Sequence, residues 1–288
     1  MWAYRGFVVL QWVMERLPRR LGYALAIVVA RVAFLLARKA RDRVMFNLGR
    51  ALPEASQPEI VRLTYRNFRN HSKAYADLMR LPRMRVEELG PLLLTEGIEH
   101  LEAARSHGKG VWVISAHMGS WEIAAAIWAA TVAPVSLFAE VLEPPELYDW
   151  YRRTRARLGI SVLPLTQTGL RQVMRALDAN EMVITAIDRD VLGTGKPFDF
   201  FGHPAPIPTG AMEMSMRRGT PILPVCVFRL PDDRLQAVGL PPILETPTGD
   251  RAADVERITG RLLRHLEGFI REHPDQWHLP HKIWEDGP

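Results

Sequence analysis

Val111-Trp-Val-Ile-Ser-Ala-His117-Met-Gly119-Ser120-Trp-Glu122-Ile-Ala-Ala-Ala-Ile-Trp-Ala-Ala130 has the pattern of a strand, a tight turn and a helix. It opens on a β-branched apolar run, Val111 to Ala116, of strand length. It closes on an alanine-rich run, Ile123 to Ala130, of helical character. Gly119 permits a tight reversal between them, and Ser120 is a good N-cap residue. His117 is therefore expected at the carboxyl end of a strand, and Glu122 in the first turn of the next helix. In open α/β sheets that edge is where ligands bind.

The spacing has a chemical use. On one straight helix, residues five apart point about 140° away from each other. Across a strand–turn–helix corner they can meet. A carboxylate on one imidazole nitrogen fixes the tautomer, and the other nitrogen is left as a general base. The expectation is thus a His117–Glu122 pair that deprotonates a hydroxyl attacking an acyl carbonyl. Spacing alone is not distinctive. Nine histidines and 32 acidic residues in 288 give about one chance match, and the chain has a second, His281 to Asp286. The context of the first sets it apart.

His117-Met-Gly-Ser-Trp-Glu122 resembles the His-x-Gly-Asn-Trp-Glu block of the bacterial lipid A late acyltransferases. Their relatives, the phosphatidylinositol mannoside acyltransferases, carry a similar block, and both belong to the lysophospholipid acyltransferase superfamily. The resemblance continues in order through Asp188-Arg189-Asp190, Phe200-Phe201-Gly202, Pro208-Thr209-Gly210 and Gly219-Thr-Pro-Ile-Leu-Pro-Val225. It ends at His273-Pro-Asp-Gln-Trp-His278, so it spans nearly the whole chain. Two departures stand out: Ser120 replaces the usual Asn, and the Pro-Glu-Gly-Thr-Arg block of glycerol-phosphate acyltransferases is absent.

The resemblance implies a membrane-associated acyltransferase that moves a fatty acyl group from acyl-CoA or acyl carrier protein to a lipid hydroxyl, without a cofactor. Arg155-Ala-Arg157-Leu-Gly159 is similar to an Arg-x-Arg-x-Gly pattern of the lipid A enzymes, which carries Arg155 and Arg157 over as anion-binding residues. The middle Arg of Asp188-Arg189-Asp190, with the Trp277-His278 pair, leans toward the mannoside-type enzymes. A phosphatidylinositol-mannoside-like acceptor is expected ahead of lipid A.

Composition agrees with this reading. The chain has a formal net charge of +5 and 48% hydrophobic residues. That balance fits one sizeable α/β core and an anionic partner such as a membrane surface. No basic run with interleaved aromatics points to nucleic acid. The single cysteine, Cys226, lies in an apolar run and cannot form an internal disulfide, which suits a reducing compartment. The expected location is the cytoplasmic face of the bacterial inner membrane, as a peripheral or monotopic protein. His71, His100 and His107 lack zinc-site spacing, so no metal is expected.

Residues 1 to 50 read as a helical membrane-associating segment and 51 to 288 as the α/β acyltransferase domain. The segment holds two helices, the first stopped by Pro18 and the second running from near Arg20. The second is apolar from Leu21 to Ala37, too short and too charged to span, which takes roughly 20 apolar residues. Arg20, Arg31 and Arg38 would fall within about 20° of one another at helical pitch. That makes a cationic stripe on an apolar rod, suited to the membrane interface.

Residues 51 to 108 read as helical. From 111 onward strands and helices alternate, predicting an α/β fold with a mixed, largely parallel central sheet flanked by helices. Asp188, Arg189 and Asp190 follow a strand, where they suit a phosphate or sugar, with Arg189 as the bidentate donor. A salt-bridged loop is the plainer reading of the same cluster. Residues 198 to 208 read as an apolar loop. Thr209 is expected to cap a helix whose N-terminus, with Gly210, binds an anion. A backbone N–H near Gly119, or an Arg, would stabilise the oxyanion. No Gly-x-Ser-x-Gly elbow is present, so transfer is expected to be direct. Two alternatives stay open: a lipid hydrolase using the same His–Glu pair on water, and an inactive acyltransferase-like protein that only binds membranes.

Overall fold

The computed structural model describes residues 2–287; Met1 and Pro288 lie outside. Four helices lead the chain: α1 (Trp2–Met14), α2 (Arg19–Leu36), α3 (Arg38–Ala51) and α4 (Gln57–Arg80). Pro58 sits in the first turn of α4, where its missing N–H costs nothing. A single turn of helix, α5 (Val86–Leu89), precedes strand β1 (Leu93–Glu96) and helix α6 (Ile98–Ser106).

Alternation then sets in, with β2 (Val111–Ser115), α7 (Trp121–Thr131), β3 (Val135–Ala139), α8 (Pro145–Ala156), β4 (Ile160–Pro164), α9 (Gln167–Asp178) and β5 (Met182–Ala186). The hairpin β6 (Lys196–Phe200) and β7 (His203–Ile207) follows, then α10 (Gly210–Arg218), β8 (Ile222–Arg229), β9 (Leu235–Gly239) and α11 (Arg251–Glu272).

Seven strands form one sheet in the order β1-β9-β8-β2-β5-β3-β4. Every neighbouring pair is parallel except β8 with β9. The expected α/β architecture with a mostly parallel sheet is present. Strand β2 is central and buried on both faces. Trp112 and Ile114 pack into one apolar layer, which includes α10 and α11 residues, while Val111 and Val113 pack into the other with α7. This two-sided burial explains a near-continuous hydrophobic strand.

The register fixes the site. Ser115 of β2 lies opposite Ala186 of β5, so His117 and Asp188, each two residues further on, emerge side by side at the carboxyl edge. Glu140 leaves the same edge directly after β3.

Several local expectations change. The second N-terminal helix does not reach Arg38. The chain turns by 92° between α2 and α3, which lets Val44, Leu48 and Ala51 of α3 join the main core. The cationic stripe is therefore limited to Arg20 and Arg31. Among the described residues no single helix is long and apolar enough to cross a membrane; α2 and α3 pass that test only as a bent pair. The 51–108 stretch contains the short strand β1, and the expected loop at 198–208 is largely hairpin. Its Phe200 and Phe201 pack against Trp277.

Candidate active site

Gly119 adopts a φ of +61°, and a Cβ there would lie 1.9 Å from the Val227 carbonyl oxygen. Only glycine fits so close an approach with that backbone. The turn is closed from the other side by the chain after α11. The Gly119 amide donates to the Gln276 carbonyl at 3.2 Å, and the His278 amide to the His117 carbonyl at 3.0 Å. Met118 and Trp277 form an antiparallel bridge. His117 is thus held between strand β8 and a C-terminal strap.

The carboxylate on the His117 ring is Asp188, not the expected Glu122. His117 Nδ1 lies 2.7 Å from Asp188 Oδ1, and the His117 amide donates to Oδ2 at 2.9 Å. Trp277 Nε1 donates to the same Oδ2 at 2.8 Å. An ionised carboxylate only accepts, so this network assigns the proton to Nδ1 and leaves Nε2 with its lone pair. Asp188 is fully buried, while the His117 side chain is 41% exposed. Burial pulls the His117 pKa down, but the charge and hydrogen bond of Asp188 more than offset it and hold the imidazole above its ordinary value. Burial pushes Asp188 up, and the His117 charge and the converging donors bring it below the usual carboxylate range.

Glu122 begins α7 as predicted but faces another way. It accepts from Arg155 Nη2 at 3.1 Å, and both side chains are largely buried. The physical reason is packing: Arg155 lies over the rings of Tyr151 and Trp121, at 4.4 and 5.3 Å, and Glu122 supplies its counter-charge. Burial raises the Glu122 pKa against the opposing pull of Arg155. Arg155 is therefore committed to an internal ion pair. Arg157 is exposed just past the end of α8.

Arg189 donates to Glu140 at 2.7 Å and stays partly exposed at the mouth of the site. Asp190 turns inward on its own loop, accepting from the Gly195 amide at 2.7 Å and the Thr194 amide at 3.3 Å. Gly210 opens α10, but Thr209 does not cap it; its hydroxyl donates to Glu213 at 3.0 Å. Two adjoining cavities meet here. One, of about 140 Å³, is lined by His117, Leu137, Phe138, Ile184, Arg189 and Val191 among others. The second, of about 530 Å³, shares Phe138, Arg189 and Val191 with it and extends to Asp190 and Gly210. His117 and Arg189 border the first cavity, and Arg189, Asp190 and Gly210 the second. Glu122, Arg155 and Arg157 line neither.

Sequence reasoning missed the strap as a site element. Asn67 of α4 donates to the Trp277 carbonyl at 2.8 Å, so its Oδ1 faces His278 Nδ1 at 2.5 Å. That fixes the His278 tautomer with its proton on Nδ1. His278 stacks on His71 with ring centroids 3.5 Å apart. Burial lowers both pKa values, His71 to about 3 and His278 well below the ordinary range, so both are neutral. The signal was present in His273-Pro-Asp-Gln-Trp-His278, but nothing local says that it crosses the His117 turn.

Comparison with known proteins follows the same outline. The chain is 29% identical over 251 residues to a phosphatidylinositol mannoside acyltransferase of Mycobacterium tuberculosis, covering 84% of this chain and 77% of that one. It is 28% identical over 249 residues to the enzyme of that name from Mycolicibacterium smegmatis, covering 84% and 79%. It is 22% identical over 285 residues to the lipid A biosynthesis palmitoleoyltransferase of Escherichia coli, covering 96% and 89%. The model of the family described as bacterial lipid A biosynthesis acyltransferase matches residues 1–286. That match takes in the His117 turn, the strap that crosses it and the helices ahead of both, and on this footing the chain belongs to the bacterial lipid A biosynthesis acyltransferase family.

Proposed function

We propose that the protein is a membrane-associated O-acyltransferase that transfers a fatty acyl group from a thioester donor, acyl-CoA or acyl carrier protein, to a hydroxyl of a glycophospholipid. The observation that carries this reading is the His117–Asp188 pair, with Nε2 free at the edge of an apolar cavity. Nε2 takes the hydroxyl proton as the oxygen attacks the thioester carbonyl. The tetrahedral intermediate collapses, the C–S bond breaks, and the imidazolium returns the proton to the leaving thiolate. Asp188 stabilises the imidazolium in between. Glu122 acts one step removed, by neutralising Arg155 behind the turn. The Gly119 amide itself is already used by Gln276, so the oxyanion falls to another backbone N–H near it or to an Arg.

An acceptor with a phosphate next to a sugar fits the rim. Arg189 offers a partly exposed guanidinium, paired on one nitrogen with Glu140. The relatives' names include phosphatidylinositol mannoside acyltransferases, which supports a mannoside-like acceptor ahead of lipid A. The apolar face of α1 and α2, with Val9, Trp12, Val28, Val32, Leu35 and Leu36 exposed, suits the interface of an anionic bilayer. Thioester donors place the site on the cytoplasmic face of the inner membrane.

The test is product analysis. Purified protein is given palmitoyl-CoA or palmitoyl-acyl carrier protein, each with a phosphatidylinositol mannoside or with a lipid A precursor. Mass spectrometry should find acylated lipid in a mixture that holds the mannoside. Free fatty acid as the only product would replace this reading with a hydrolase, and no thioester consumption with either acceptor and either donor would leave a membrane-binding protein.

A further inference from the structure

Arg229, the last residue of β8, is buried among polar groups that the acyl transfer itself does not use. Its Nη2 donates to Asp77 at 2.5 Å and to the Ser120 hydroxyl at 2.7 Å, and its Nη1 donates to the Tyr23 hydroxyl at 2.8 Å. The Tyr23 hydroxyl donates to Asp77 at 2.7 Å, and the Ser120 hydroxyl to Asp77 at 3.2 Å. Ser120 makes no side-chain cap on α7, because its oxygen is occupied here. The Arg229 backbone is equally committed: its amide donates to the Gln276 side chain at 2.6 Å, and its carbonyl accepts from that side chain at 2.7 Å. Gln276 is the residue whose own carbonyl holds the Gly119 amide. One arginine therefore grips the turn between His117 and Glu122 twice, once through Ser120 and once through the strap.

We infer that Arg229 is a positioning residue that sets the His117 turn for catalysis, and that it fastens this turn to α2, the helix with the exposed apolar face, through Tyr23. The inference rests on the acyltransferase reading above. A turn that carries a general base needs sub-ångström placement, since a small misplacement costs on the order of 10²-fold in rate. Gly119 and Ser120 alone cannot supply it. Ser120 lies in the break between β2 and α7, where neither ladder bonds nor a cap restrain it. A buried guanidinium with several fixed donors can, and its counter-ion Asp77 comes from α4. The same ion pair that closes α2 onto the core thus also sets the corner that bears the base.

Ser120→Ala and Tyr23→Phe each remove one hydroxyl from Arg229 and keep the packing. Wild type, both single variants and the double variant are compared with palmitoyl-CoA and phosphatidylinositol mannoside, with kcat, KM and melting temperature measured for each. The inference expects each single variant to lose about tenfold in kcat, with KM for palmitoyl-CoA within about twofold. Because both act through one guanidinium, the double variant should be little worse than the weaker single. A purely structural role would lower the melting temperature but leave kcat of the folded protein unchanged. That result, or losses that multiply in the double variant, overturns the inference. If Ser120→Ala does not fold, Tyr23→Phe decides alone by the same kcat criterion. A wild type that transfers nothing from either donor to either acceptor would instead overturn the acyltransferase reading and this inference with it, whereas an active wild type with unaffected variants overturns only the role of Arg229.

Discussion

His117 and Asp188 stand at the ends of two strands that are neighbours in the sheet but 71 residues apart in the chain, and they share two hydrogen bonds, ring to Oδ1 at 2.7 Å and amide to Oδ2 at 2.9 Å. One carboxylate therefore fixes both the ring and the backbone of His117, the proposed general base. The third donor, Trp277 Nε1, holds that carboxylate from the strap. Orientation and tautomer are set before any substrate arrives, which is the condition for efficient proton transfer.

The Glu122–Arg155 pair is expected to act on stability first. Removing one partner of a buried pair leaves an unpaired charge and costs about 3–5 kcal/mol. Glu122→Ala should therefore lower the melting temperature by many degrees, and Glu122→Ala with Arg155→Met should recover part of it. The position of the pH–rate profile should move less in a folded Glu122→Gln protein than in Asp188→Asn. Equal movement in both would return Glu122 to the imidazole.

Arg189 is predicted to recognise a phosphate. Arg189→Lys keeps the charge but loses the planar fork. KM for a phosphorylated acceptor should rise several-fold with kcat little changed, and steady-state kinetics on a phosphorylated and a neutral acceptor read this directly. An unchanged KM, or equal use of a neutral alcohol, would remove the role.

Membrane attachment is expected to lie on the exposed side of α2. Val28, Val32, Leu35 and Leu36 are all exposed, so Val32→Asp with Leu36→Asp should spare the fold. Co-sedimentation with anionic vesicles should fall sharply in that variant and change little in Arg20→Gln, since apolar burial is the larger contribution. Undiminished sedimentation of the double variant would move the membrane face elsewhere.

Much of the fold was legible because strands such as Val135–Ala139 and Met182–Ala186 are short apolar runs between clear helices. His117 at a strand's carboxyl end was legible for the same reason. The partner of His117 was not. Choosing Asp188 over Glu122 requires knowing that β2 pairs with β5, and sheet order is a long-range property. Ser120 reads as a cap locally, but Arg229, 109 residues away, takes its hydroxyl. The hairpin at 196–207 reads as a loop because Pro197, Pro204 and Pro206 argue against a central strand, and it is tolerated in a separate two-stranded ribbon. The end of α2 at Leu36 is set by where α3 finds the core, not by any breaker residue.

In the proposed mechanism His117 is the general base and Asp188 tunes it. The most direct measurement is the pH dependence of kcat/KM for acyl transfer in wild type and in Asp188→Asn. Only the neutral imidazole accepts the proton, so the rate should climb with pH. With the His117 pKa raised in the folded protein, the midpoint of that climb should lie above about 6.5. Asp188→Asn removes the charge that favours the imidazolium, so the midpoint should shift to lower pH while the plateau falls by on the order of 10²–10⁴. A folded Asp188→Asn protein with the wild-type plateau and midpoint would contradict the account.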